Sequence, residues 1–93
     1  MSLLRRNARR DANEPEIVRY LQGAGCIVRR LSDAGIPDLL VIWRGRVLLV
    51  EIKMPRGRYT KAQQEFRSAC AAVGCRIYTA RSVTDARLIL EAT

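Results

Sequence analysis

The stretch from Gly35 to Lys53 limits the folds open to this chain more than any other. Asp38–Trp43 and Val47–Glu51 have the aliphatic density of buried strands, and Arg44-Gly45 between them is a tight-turn signal. A two-residue loop places 43 opposite 46, 40 opposite 49 and 38 opposite 51. Directly opposed residues of an antiparallel pair share a face, with Cβ atoms about 4.5–5.5 Å apart. Side chains alternate along a strand, so Lys53 follows Glu51 onto that face. Asp38, Glu51 and Lys53 are therefore predicted to converge. A four-residue loop keeps this parity, whereas a three-residue loop would send Asp38 to the other side.

Such a grouping has a chemical meaning. Two neighbouring carboxylates in a buried sheet repel each other, at a cost that falls when a cation sits between them. Hard, all-oxygen ligands select Mg²⁺ or Mn²⁺ over zinc. Magnesium takes one or two carboxylates and keeps several waters, which leaves room for a phosphate and an attacking water. Lys53 is placed to orient or deprotonate that water, or to stabilise charge on the phosphorane. The set suits metal-assisted phosphodiester hydrolysis. An isolated Glu-x-Lys would read more readily as a cross-strand ion pair. A third charge, Asp38, opposite Glu51 on an otherwise aliphatic hairpin turns the balance toward chemistry.

Ninety-three residues suffice for one domain with one modest core. The absence of histidine excludes His-dependent nucleases, Ser-His-Asp and Cys-His hydrolases and His-containing zinc sites. Cys26, Cys70 and Cys75 show neither disulfide-framework nor Cys-x-x-Cys spacing and read as reduced thiols in or near the core. No apolar run approaches the roughly 20 residues needed to cross a bilayer, and Met1–Arg6 lacks the features of a signal peptide. The expectation is an intracellular, cytoplasmic protein without a membrane partner or an organic cofactor. A net charge of +8, with 15 arginines among 17 basic residues, favours a polyanion such as nucleic acid. Trp43, Tyr20, Tyr59, Tyr78 and Phe66 are too few to make base stacking the main binding mode, so phosphate contacts should dominate.

Residues 1–12, with Arg5, Arg6, Arg9 and Arg10, read as a basic N-terminal arm that touches nucleic acid, ahead of a domain over 13–93. Asn13 is positioned to cap a helix entered through Glu14-Pro15-Glu16, with Ile17, Tyr20, Leu21 and Ala24 as its apolar face and Gly23 and Gly25 at its end. Cys26–Leu31 reads as a strand and Ser32–Pro37 as the loop into the hairpin. Pro55–Arg58 breaks the third strand. Thr60 opens a helix with Ala62, Phe66, Ala69, Cys70 and Val73 as the predicted buried stripe and Gly74 just past its end. Arg76–Thr79 is a short strand, and Ser82-Val83-Thr84-Asp85 a capping-box variant opening a last helix through Val83, Ala86, Ile89 and Leu90. The order α-β-β-β-α-β-α predicts an α/β fold, a mixed sheet flanked by helices. The apolar residues of helix 82–92, with Leu88 on another side, are also predicted to form a self-association face.

Gly35-Ile36-Pro37-Asp38, Glu51-Ile52-Lys53 and Thr60-Lys61-Ala62-Gln63, in this order on these elements, resemble the PD-(D/E)xK nuclease superfamily, and their spacing is similar to its virus-type replication-repair nuclease (VRR-NUC) domain. The resemblance spans about residues 14–80. It implies a restriction-endonuclease-like core and cleavage of DNA dependent on Mg²⁺ or Mn²⁺. It also implies metal ligation by Asp38, Glu51 and the backbone carbonyl of Ile52, with Lys53 as catalytic lysine and Gln63 at the active site. An acid from the first helix often joins that set. Glu14, three residues before Ile17, is the choice and Glu16 its rival, although either acid would also favour a helix N-terminus. Gln63 equally completes a capping box with Thr60. Arg56 and Arg58, just past Lys53, and Arg30, before the Pro-Asp loop, are expected on the phosphate backbone.

The expected activity is that of a stand-alone endonuclease of a phage or bacterial host, selective for branched DNA such as Holliday junctions or flaps. One active site per chain makes a two-fold homodimer the economical way to cut two strands. The alternatives are a non-catalytic basic module on the same fold and an RNA endonuclease, since phosphate contacts distinguish the sugars poorly.

Overall fold

The turn at Arg44-Gly45 sets the architecture. Both residues are left-handed, with φ of 50° and 76°, the geometry that matches the twist of a two-residue hairpin. It joins β2 (Leu39–Trp43) to β3 (Arg46–Ile52), with Trp43 facing Arg46 and Leu40 facing Leu49, the predicted register. The computed structural model describes residues 11–93; the basic arm with Arg5, Arg6, Arg9 and Arg10 otherwise lies outside them.

Ahead of the hairpin come α1 (Glu14–Gly23) and β1 (Ile27–Arg30); after it come α2 (Lys61–Ala72), β4 (Ile77–Ala80) and α3 (Val83–Ala92). The strands lie in the order β1-β2-β3-β4. β1 and β3 flank β2 antiparallel, and β4 joins β3 in parallel through α2, as parallel neighbours require a crossover. Val28, Leu39, Val41, Leu48, Val50 and Ile52 face the core, which Ile17 and Leu21 of α1 and Ala86, Ile89 and Leu90 of α3 complete.

Three expectations are corrected. None of the residues of α2 is buried, and Val73, beyond its end, is 82% exposed. Its periodicity describes an amphipathic helix, but the core lies on the other face of the sheet, under α1 and α3. Conversely, Ala86, Ile89 and Leu90 are buried, so helix 82–92 spends its apolar face on the core rather than on self-association. Asn13 stands at the N-cap of α1 without capping it; its side chain is used elsewhere.

The face opposite the core carries Asp38, Glu51 and Lys53 at one end. Toward the hairpin turn, Ile27 pairs with Ile42 and Ile42 with Val47, and Ile27 and Val47 are 51% and 66% exposed. α2 seats beside the loop before Asp38 through Gly35, whose φ is +79° and whose missing Cβ would stand 3.2 Å from Ala62 Cβ. Gly35→Ala is therefore expected to destabilise the protein by about 1–3 kcal/mol, whereas Val73→Ser should stay within about 0.5 kcal/mol. Urea denaturation of the two variants checks both.

Candidate active site

Asp38 enters the site from the loop ahead of β2, behind the buried Pro37. Its backbone carbonyl accepts from Leu31 N at 2.8 Å, and its Oδ2 accepts from Ile52 N at 2.8 Å. That second bond ties the Asp38 carboxylate across the hairpin beside Glu51, which is 3% exposed. Burial, a hydrogen bond with Asp38 and the charge of Asp38 together push the Glu51 carboxyl up to about 9. Next to Asp38 and out of water, the Glu51 carboxyl therefore favours its neutral form more than a free carboxyl does.

Gln63 joins this pair to Lys53. The helix-opening motif folds as a full capping box: Gln63 N donates to Thr60 Oγ1 at 3.1 Å, and Thr60 N to Gln63 Oε1 at 2.9 Å. The same Oε1 accepts from Lys53 Nζ at 2.8 Å, and Gln63 Nε2 donates to Glu51 Oε2 at 3.1 Å. One amide caps the helix and spaces the acid from the lysine. Lys53 is itself almost buried, at 9% exposure.

The two acids of the first helix differ sharply. Glu14 is 2% exposed and pairs with Arg30 Nε at 2.7 Å, whereas Glu16 faces solvent. Arg30 thereby commits its Nε to protein, with half of its side chain still exposed. Arg56 and Arg58 are exposed on the loop after Lys53. Among the described residues, no group of three or more His, Cys, Asp or Glu side chains could hold a metal ion. A cation here would rest on two carboxylates and backbone oxygen.

Other residues meet here that the sequence had not singled out for the site. Asp11 is half-buried, hydrogen-bonds the Met54 backbone and senses Asp38, Lys53 and Glu14; desolvation is the main reason its carboxyl is raised. Asn13 Nδ2 donates to the carbonyls of Lys53 at 3.1 Å and Arg81 at 3.0 Å. Arg81 Nη1 donates in turn to the carbonyls of Met54 and Gly57, both at 2.8 Å, and of Pro55 at 3.3 Å. Asp85, read as a capping residue, reaches past Ser82 to accept from Arg81 N at 2.9 Å. Arg81 directly follows β4 (Ile77–Ala80), whose parallel pairing with β3 brings it beside the loop after Lys53.

Two cavities, of about 680 and 720 Å³, lie elsewhere, and neither is lined by Asp38, Glu51 or Lys53. No helix among the described residues is long and apolar enough to cross a membrane. Comparison with curated proteins gave no match. A solved structure titled VRR_NUC domain shares this fold with a TM-score of 0.72, at 24% identity over 87% of this chain and 97% of the other. A sequence model of the VRR-NUC domain matches residues 8–84. The chain belongs to the VRR-NUC family of nuclease domains.

Proposed function

We propose that this protein is an endonuclease that hydrolyses DNA phosphodiesters with Mg²⁺ or Mn²⁺, selecting branched DNA such as Holliday junctions or flaps. The observation that carries the reading is the buried Glu51, set against Asp38 and joined through Gln63 to Lys53. Two neighbouring carboxylates out of water gain from a divalent cation between them, and their donors are hard oxygens. Asp38, Glu51 and the Ile52 carbonyl would hold it; of the two helix acids, Glu14 is the buried one and pairs with Arg30. When bound, the cation supplies a polarised phosphate and a more acidic water.

The chain's own residues do the rest. Gln63 holds Lys53 Nζ at 2.8 Å, so the ammonium is preorganised to orient the attacking water or to meet charge as the phosphorane forms. Asp38, fixed by the Ile52 amide, keeps Glu51 in register. Arg56 and Arg58 stand in solvent where a phosphate backbone would pass, and the +8 charge of the chain suits such a partner. A non-catalytic basic module would have little use for a buried acid–acid–lysine set.

Cleavage should require Mg²⁺ or Mn²⁺ and vanish in Asp38→Ala and Glu51→Ala. Lys53→Ala should lose at least about 10²-fold in rate with little change in affinity. Assays on labelled linear, flap and four-way DNA check this, with matched RNA separating the sugar preference. Undiminished cutting in EDTA would contradict the mechanism.

Glu51 makes the metal-free protein sensitive to pH. Its folded pKa, about 9, stands above the ordinary 4.5, so the folded state holds a proton that the unfolded state releases. Stability should be greatest below pH 4.5 and fall as pH rises toward 9, with a slope of up to about 1.4 kcal/mol per pH unit. Glu51→Gln should flatten that slope and stabilise the protein at alkaline pH. Denaturation in EDTA across this range decides it, and an unchanged slope would contradict the assignment.

A two-fold homodimer is proposed because paired cuts need two sites and one chain carries one. The uncovered row Ile27, Ile42 and Val47 offers apolar surface for it. Sedimentation at micromolar concentration should show a dimer, and a strict monomer that resolves a four-way junction in one encounter would overturn this.

A further inference from the structure

Tyr59 lies on the loop between β3 and α2, directly before the capping residue Thr60. Two cations stand over its ring, Arg67 Cζ at 4.4 Å from the centroid and Lys53 Nζ at 5.4 Å. Its hydroxyl is buried and has no hydrogen-bond partner among the described residues. Packing accounts for the ring, since two cations over an aromatic face attract it. It does not account for the oxygen, because a buried hydroxyl without a partner costs stability that phenylalanine would avoid.

The surroundings say what would satisfy it. Arg67, Glu51 and Arg81 are the charged groups close enough to act on the phenol, and burial, the largest influence, raises its pKa. At neutral pH the group is therefore a donor. Lys53, Arg67 and Arg81 outnumber the single acid Glu51 around it, a net positive surrounding that favours an anionic oxygen over the neutral edge of a base. We propose that the loop carrying Tyr59 shifts as a strand is bound, and that its hydroxyl then donates a hydrogen bond to a non-bridging oxygen of the phosphodiester brought to Lys53. The assignment rests on the nuclease reading for the identity of the polyanion.

Tyr59→Phe tests it, because the ring keeps its cations and only the oxygen is lost. Two measurements on the full chain are needed: thermal melting in EDTA, and anisotropy of a short labelled duplex in Ca²⁺, under which the DNA should stay intact. The contact predicts that the variant melts several degrees higher and binds the duplex about five- to tenfold more weakly. Unchanged affinity would overturn it, and so would a lower melting temperature, which would mean that the hydroxyl has a partner within the free protein. Cleavage by the unsubstituted protein in Mg²⁺ reports separately on the nuclease reading. Binding without cutting would remove that reading while a weakened Tyr59→Phe complex kept this contact, and no binding at all would overturn both.

Discussion

Everything at the working end of this fold depends on keeping Glu51 against Asp38 out of water. Two carboxylates so placed repel unless a proton or a cation joins them. The hairpin register forces the encounter: with Leu39 opposite Val50, Asp38 and Glu51 are the next pair along the ladder and share its outer face. The Ile52 amide then fixes Asp38 at 2.8 Å, and Gln63 Nε2 holds Glu51 at 3.1 Å. The raised Glu51 pKa expresses this constraint as an affinity for positive charge.

Around the pair, the same atoms serve stability and chemistry. Gln63 satisfies a helix terminus and positions Lys53 through one amide, so the start of α2 and the geometry of the lysine change together. Asn13 and Arg81 collect backbone carbonyls from Lys53 to Gly57, where β3 runs out and the ladder no longer supplies partners. They hold the end of the strand, and with it the exposed Arg56 and Arg58, against the N-terminus of α1 and the end of β4.

The sequence makes the hairpin, its register and the meeting of Asp38, Glu51 and Lys53 legible, because a period of two and a tight turn leave few alternatives. Thr60-x-x-Gln63 is legible for the same reason, as its spacing closes a local ring of hydrogen bonds. What the sequence hides is long-range. Asn13 obeys every local rule for a helix cap, yet its amide goes to Lys53, 40 residues away. The stripe on α2 is real, but periodicity does not say which face of a sheet holds the core. The placement of Asp11, Asn13 and Arg81 arises only once β4 lies parallel to β3 and brings Arg81 beside Lys53 and Met54.

On the proposed mechanism, a divalent cation bound by Asp38 and Glu51 displaces the proton that burial favours on Glu51. Calorimetric titration with Mn²⁺ at pH 7, in buffers of different ionisation enthalpy, measures that exchange directly. The account predicts binding that releases about one proton per ion, with the release lost in Glu51→Gln and the binding lost in Asp38→Ala. Binding with no proton release, or binding that survives Asp38→Ala, would contradict it.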